Sequence, residues 1–461
     1  MFTRTWRSVV LIAGETALLL IAVTLGSYLI LGTDASSVVS QSDGMLRVLL
    51  VVFVCQLCLH YADLYDLRTI VDTRDLLVRL FQALGAASLI LAIAYFWFPQ
   101  WVIGRGVFAI SAGLVVSLVV AWRLAFSWLT RHVAPRERLL LVGTNPAAIE
   151  LARELFDRRE ELGVEIVGFV DPDPMRVGER VINPGVVGTV DDIPALIPAL
   201  SVDRVVVSLA DARGRLPMDR LLDIRLQNGV AFAHLASVYE EYTGKIAVET
   251  LRPSWLIFSS GFHKTRVLLA AKRAFDLTLA LAGLVLALPL MILVAALVKL
   301  ISPGPALYHQ ERVGLNGRVF TVHKFRTMHV DAEAGTGPIW SGRNDGRITP
   351  VGRFLRRTRL DELPQLWNVL RGEMSFVGPR PERPLFVDRL TASIPFYGQR
   401  HAVKPGLTGW AQVRYTYGAS VEDAVEKLQY DLYYIKNLSI ALDLVIVLET
   451  IKTVVLRRGG R

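Results

Sequence analysis

The sequence predicts a membrane protein of α plus α/β class, with a four-helix N-terminal bundle, an α/β middle domain and an α-rich C-terminal domain carrying a re-entrant membrane helix. Three observations predict it. Long apolar runs fill the first third. A strand–helix alternation begins near Arg138. A further apolar run, with a proline at its centre, opens the last third. Composition agrees: 52% of the 461 residues are hydrophobic and 20% charged, against about 25% charged in soluble domains. Mean hydropathy is +0.41. These values exclude a disordered, collagen-like or disulfide-scaffold chain. The net charge of +9 suits nucleic acid, an anionic membrane face or phosphorylated substrates; of these the apolar composition favours the membrane, and no nucleic-acid partner is expected.

Four runs lie within residues 1–131: Ser8 to Leu31, Leu46 to His60, Arg79 to Phe98 and Gly106 to Leu129. A spanning helix needs about 20 apolar residues; the second run is shorter and borrows Tyr61 to Leu64. The first run follows Arg4 and Arg7 but is too long for a signal peptide and lacks a small-residue cleavage site, so it is expected to be retained. Arg4 and Arg7, then Arg68, Arg74 and Arg79, then Arg131, Arg136 and Arg138 alternate with basic-poor loops. That alternation puts the N-terminus and everything after residue 131 in the cytoplasm. Glu15 and Arg123 sit inside the first and fourth runs, each roughly 10–12 Å from the cytoplasmic end at helical rise. Intramembrane charges are costly and usually paired, so the two either pair across the bundle or snorkel separately. Cys55 and Cys58 form a C-x-x-C inside the second run, without a second pair or ligand-spaced histidines. They read as small packing side chains.

Residues 138–245 alternate strands and helices: RLLLVG, TNPAAIELARELFDRR, VEIVGFVD, VDRVVVSL. This is the rhythm of a parallel α/β sheet. The first turn reads G-T-N-P-A-A rather than G-x-G-x-x-G. Without the second glycine a pyrophosphate approaches less closely, so a structural or assembly role is favoured over nucleotide binding. Residues 246–265 form a linker. The string YTGKIAVETLRPSWLIFSSGF, which runs into it, is aromatic enough to dock, either elsewhere on the chain or on a second subunit.

Residues 266–461 carry the chemistry. The run from about 274 to 301 has Pro289 at its centre, Lys272 and Arg273 before it and Lys299 after it. A central proline bends a helix and basic ends favour one side of the membrane, so the prediction is helix, break, helix. A kinked spanning helix is the alternative. A hairpin turning at Asn316-Gly317 follows. Then Arg343, Arg347, Arg353, Arg356, Arg357 and Arg359 crowd together with Val351, Phe354 and Leu355 among them. They suit a membrane surface or, for some, bidentate phosphate contacts. Asp361-Glu362 stand beside this cluster, before a short helix that Pro364 opens and Gly372 closes. Asp361 reads either as an N-cap or, among arginines next to a membrane element, as a carboxylate that attacks phosphorus or holds a divalent metal. The apolar stretch from Leu438 to Arg458 lies at the interface or packs on the core, and the terminal Arg457, Arg458 and Arg461 suit lipid headgroups.

The strings KRAFD, SPGPALYHQERVGLNGRVFTVHKFRTM, RLDELPQLWNVLRGEMSFVGPRP, KPGLTGWAQV and YDLYYIKN cover most of this last third. They resemble the bacterial polyprenyl-phosphate phosphoglycosyl transferases of the monotopic superfamily. The whole chain looks like the large form, with four N-terminal helices and a Rossmann-like middle domain. YTGKIAVETLRPSWLIF resembles the exosortase-associated exopolysaccharide subgroup. The resemblance implies transfer of a sugar 1-phosphate from a UDP-sugar to undecaprenyl phosphate, with release of UMP, at the bacterial inner membrane with Mg²⁺ as cofactor. It assigns the nucleophile to Asp361, metal binding to Asp361 and Glu362, and phosphate or donor contacts to Arg356 and Arg380. Lys324, Arg326 and Asp431 are further candidates. A homodimer through the middle domain and linker is expected. One departure is Leu288 before Pro289, where many small relatives have serine.

Overall fold

The computed structural model describes residues 6–35, 42–62, 64–65, 73–103, 106–132, 136–182, 184–208, 222–226, 230–248, 251, 259, 261–330, 332, 345–415 and 420–455. Arg4, Arg68, Arg105, Arg343, Arg457, Arg458, Arg461 and the linker string around Trp255 lie outside them. The chain divides into two compact units, residues 2–235 and 236–461.

Four helices open the first unit: α1 Trp6–Leu31, α2 Ser42–Tyr61, α3 Thr73–Trp97 and α4 Val107–His132. Each contains a stretch long and apolar enough to cross a membrane. Leu19, Val23, Leu59, Leu80, Ala87 and Val119 form their shared core, while Ile21, Phe53, Leu89 and Phe96 point outward, as lipid-facing positions do. Cys55 and Cys58 are buried free thiols in this packing. Glu15 and Arg123 do meet: both are almost fully buried, the Arg123 Nε donates to Glu15, and its Nη1 donates to the carbonyl of Leu64. One guanidinium thus ties α1, α4 and the end of α2 together.

The middle sheet is wholly parallel, in the order β3 (Val186–Thr189), β2 (Val164–Asp171), β1 (Glu137–Val142), β4 (Arg204–Val207), β5 (Ala231–His234). The strand order reverses between β1 and β4, where doubly wound sheets open their ligand crevice. Here the polar groups at that mouth satisfy one another. Asn145 caps helix α5 (Pro146–Asp157) and donates from Nδ2 to Ser208 O at 2.8 Å. Thr144 donates to Asp171, and Arg176 donates to Thr144.

The second unit opens with α7 (Leu235–Thr243; α6 is Ile193–Ala199 of the first unit) from Ala236 onward. The segment after it docks in cis: Tyr239, Ile246 and Val248 are buried, and Trp410 Nε1 donates to Gly244 O at 2.9 Å. Lys245 pairs with Glu426 at 2.6 Å, and Glu240 takes Lys436 and Asn437. The described start of the aromatic string therefore packs on the rest of the second unit.

Helix α8 runs from Arg266 to Ile301 with Pro289 inside it. The predicted non-helical break is not seen; the chain stays helical through the proline. Hairpin strands β6 (Leu307–Val313) and β7 (Val319–Phe325) follow, antiparallel, turning where Asn316 and Gly317 take positive φ, as expected. Helices α9 (Pro350–Thr358), α10 (Gln365–Arg371) and α11 (Pro384–Ser393), the parallel pair β8 (Ser375–Val377) and β9 (Gly406–Thr408), the short α12 (Trp410–Arg414), then α13 (Val421–Lys436) and α14 (Ile440–Val455) complete the unit. Helix α14 packs on the core through Leu442 and Ile446, and its fully buried Asp443 receives Lys272 Nζ of α8 at 2.7 Å. Its other face leaves Leu444, Ile451 and Val454 exposed.

Candidate active site

The site grows from a short linker between two helices. Thr349 caps α9 by accepting from Gly352 N at 2.9 Å, and Pro350 sits in the first turn, where its missing N–H costs nothing. Gly352 lies so close to Thr327 that a Cβ there would stand 2.0 Å from Thr327 O. Helix α9 ends at Arg359, which takes a left-handed φ of 59°, a conformation that non-glycine residues hold mainly where the surroundings enforce it. A 3₁₀ turn, Leu360–Glu362, follows before Pro364 and α10. Asp361 and Glu362 are therefore in a turn of their own, and Asp361 is not the N-cap that the local sequence allows: α10 has no side-chain cap.

The two carboxylates are both buried but differently occupied. Glu362 Oε1 accepts from Arg380 Nη2 at 2.7 Å and from Lys324 Nζ at 3.3 Å, and Arg359 Nη1 lies 3.8 Å from Oε2. Asp361 Oδ1 is buried without a hydrogen-bond partner among the described residues. Burial disfavours ionising Glu362, but Arg380, Lys324 and Arg359 overcome it and hold its carboxyl well below the usual range. For Asp361, burial and then the Glu362 charge push the carboxyl up to about 6, against the pull of Lys324, Arg356 and Arg380. Opposed shifts in adjacent acids are a mark of functional sites. Lys324 in turn is lowered, by burial first, with Glu362 opposing.

The predicted residues fall into two groups. Asp361, Glu362, Lys324, Arg356 and Arg380 are brought together; Arg356 Nε also donates to Thr327 Oγ1 at 2.9 Å. Arg326 and Asp431 stand apart from the acid pair. Arg326 donates to Ser302 O and Pro303 O at 2.8 and 2.6 Å, closing the C-terminal end of α8. Asp431 pairs with Arg400 at 2.8 Å, both buried. The arginine run also splits. Arg356 and Arg359 turn toward the acids, Arg353 and Arg357 flank the exposed Phe354, and Arg347 is taken up by Asp345. Sequence reasoning missed Arg312 and Arg400. Arg312 donates to Pro381 O at 2.8 Å. Strand alternation places it on the Lys324 face of the hairpin, since Tyr308 pairs with Lys324 and Arg312 lies four residues on, so that signal was present. Nothing local marks Arg400.

Helices long and apolar enough to cross a membrane, and a buried acid pair set among Lys324, Arg356, Arg359 and Arg380, define a membrane protein with a cation-lined acidic centre. Two family models match the chain: bacterial sugar transferase over residues 267–457, and CoA-binding domain over residues 60–223, a span that includes α3 and α4 as well as most of the sheet. A UDP-glucose:undecaprenyl-phosphate glucose-1-phosphate transferase of Xanthomonas campestris pv. campestris is 34% identical over 77% of this chain and 72% of that protein. A UDP-N-acetylgalactosamine-undecaprenyl-phosphate N-acetylgalactosaminephosphotransferase of Aeromonas hydrophila is 39% identical over 57% of this chain, which spans 61% of that relative's length. An exopolysaccharide production protein of Rhizobium leguminosarum bv. phaseoli is 42% identical over 42% of this chain and 98% of its own. The chain belongs to the bacterial sugar transferase family, the undecaprenyl-phosphate sugar-1-phosphate transferases, in the large form with N-terminal domains.

Proposed function

We propose that the protein transfers a sugar 1-phosphate from a UDP-sugar to undecaprenyl phosphate, the initiating step of exopolysaccharide synthesis. One observation carries the mechanism: Asp361 Oδ1 is buried, unpartnered and surrounded by cations, while Glu362 beside it is fully engaged. The Asp361 carboxylate attacks the phosphorus that bears the sugar. The bond from that phosphorus to the UMP oxygen breaks, UMP leaves, and an aspartyl phosphosugar remains. An oxygen of undecaprenyl phosphate then attacks the same phosphorus and frees Asp361. Arg380, Arg356 and Lys324 steady the phosphoryl oxygens; Glu362 keeps Arg380 and Lys324 in place and charged until substrate arrives.

The residues present suit Mg²⁺. Asp361 Oδ1 is the buried carboxylate oxygen without a partner among the described residues of this unit, and Mg²⁺ commonly takes one or two carboxylates plus substrate phosphates. Asp361, with Glu362 beside it, would hold the ion, which when bound neutralises diphosphate charge. No cluster of three or more such ligands occurs among the described residues, so these two carboxylates would hold the ion only together with substrate phosphates.

The re-entrant reading of α8 belongs to the same proposal. Before Pro289, Arg273 donates to Val369 O and Leu370 O at 2.7 and 2.8 Å. After it, Val294 and Val298 pack with Phe325 and Leu355. Around it Val285, Leu286, Leu288 and Ile292 are exposed. Both halves seat on one unit while the middle offers only apolar surface, which supports a continuous helix, bent at Pro289, whose middle enters the inner membrane while both ends stay at the cytoplasmic face, where UDP-sugars are found.

Purified protein given a panel of UDP-sugars, undecaprenyl phosphate and Mg²⁺ is expected to release UMP with one of them. Asp361→Asn is expected to abolish both turnover and the labelled phosphosugar adduct. Near-normal turnover in that variant overturns the mechanism.

A further inference from the structure

We infer that Arg400 is a positioning residue for Arg380. The inference rests on the reading that Arg380 serves the donor's phosphates. Arg400 lies in the turn Tyr397–Ala402 and is 6% exposed. Its guanidinium divides among three partners. Nη1 donates to the Tyr397 hydroxyl at 2.6 Å; Nη2 donates to Asp431 Oδ2 at 2.8 Å and to the backbone carbonyl of Arg380 at 3.0 Å. The residue whose side chain grips Glu362 thus has its own backbone gripped from behind.

The arrangement answers a mechanical need. Arg380 sits on the G-P-R-P loop after β8, and its side chain is about a third exposed, at 35%. To pass from Glu362 to a substrate phosphate it must move at its tip while its root stays fixed, because misplacement of a phosphate-binding group is costly. Neighbouring carbonyls have separate anchors: Val377 O receives Lys272 Nζ and the Tyr434 hydroxyl, and Pro381 O receives Arg312. Arg400 supplies the one on residue 380 itself. Asp431, on α13 and 2% exposed, orients that guanidinium. A buried ion pair is weak evidence for stability and is better read as a device for fixing geometry. Lysine, a point charge without the planar fork, cannot make the three bonds together.

The experiment is a double-mutant cycle in the full-length enzyme, using the UDP-sugar turned over in the panel above. Arg400→Lys is expected to raise the UDP-sugar KM about tenfold, the scale of one charged hydrogen bond, with the undecaprenyl phosphate KM and the thermal midpoint unchanged. Arg380→Ala lowers kcat/KM for the donor, and adding Arg400→Lys to it is expected to cost nothing further, because coupled residues are non-additive. Equal losses from Arg400→Lys in both backgrounds, or an equal rise in both substrates' KM, overturn the inference. If Arg400→Lys does not fold, Tyr397→Phe, which removes one partner of the fork, goes through the same cycle with the same criteria. An unchanged donor kcat/KM in Arg380→Ala alone overturns the donor role of Arg380 and the inference with it; that result is distinct from additivity, which spares the donor role.

Discussion

Arg380 Nη2 stands 2.7 Å from Glu362 Oε1, while Oδ1 of Asp361, the preceding residue, has no hydrogen-bond partner among the described residues. The pair is thus asymmetric before substrate arrives. One acid is neutralised by cations; the other is left exposed to its neighbour's charge and to burial.

That asymmetry sets the acid limb of the pH–rate profile. In the proposed mechanism Asp361 attacks only when ionised, and its carboxyl is pushed up to about 6 by burial and by Glu362. The donor kcat/KM is expected to fall as pH drops through about 6, approaching tenfold per unit, and to level off above it. A limb near the ordinary aspartate value, about 3.9, would contradict the burial argument.

Glu362→Gln is expected to move that limb to lower pH. The substitution removes a like charge beside Asp361 and releases Arg380 and Lys324 to act on it, and both changes favour the ionised form. Turnover at neutral pH should drop by about 10–100-fold, since charged hydrogen bonds to the flanking cations are lost. Rate profiles of the two proteins, measured side by side, decide the direction.

Gly352→Ala tests the close approach behind Arg356. The added methyl would lie 2.0 Å from Thr327 O, so the segment after β7 and helix α9 must separate. Overpacking of this kind costs about 1–3 kcal/mol, and the loss should show in thermal unfolding together with weakened donor binding, because Thr327 Oγ1 also holds Arg356.

Within the membrane bundle, Arg123→Leu is expected to destabilise by about 3–5 kcal/mol because it strands the Glu15 charge. The double variant Glu15→Leu with Arg123→Leu should recover much of that loss. Detergent unfolding midpoints that simply add would mean that the two side chains do not depend on each other.

A chain beginning at Ala236 should fold around its catalytic core, whereas one beginning at Arg266 should aggregate. The longer form keeps Tyr239, Ile246 and Val248 in the core. Each such side chain contributes about 1.5–3 kcal/mol, a large share of the 5–15 kcal/mol of a typical domain, roughly. Size-exclusion profiles of the two forms check this.

The amino-acid order alone determined the elements whose signals are local. Apolar length marked α1 to α4 and α8, alternation and Asn316-Gly317 marked the hairpin, and adjacency in the chain placed Asp361 beside Glu362 and near Arg356. What it left undecided depends on which way side chains turn once helices pack. Lys324 and Arg326 are two residues apart on one segment, yet one reaches Glu362 and the other closes the end of α8. Asp431 was marked by its motif, but only the fold pairs it with the buried Arg400, whose guanidinium also reaches the Arg380 carbonyl. The continuity of α8 through Pro289 was likewise decided in three dimensions, where packing on both sides of the proline holds the helix together. Local pattern encodes secondary structure and charge; burial and orientation, which assign each charge its partner, exist only in the folded chain.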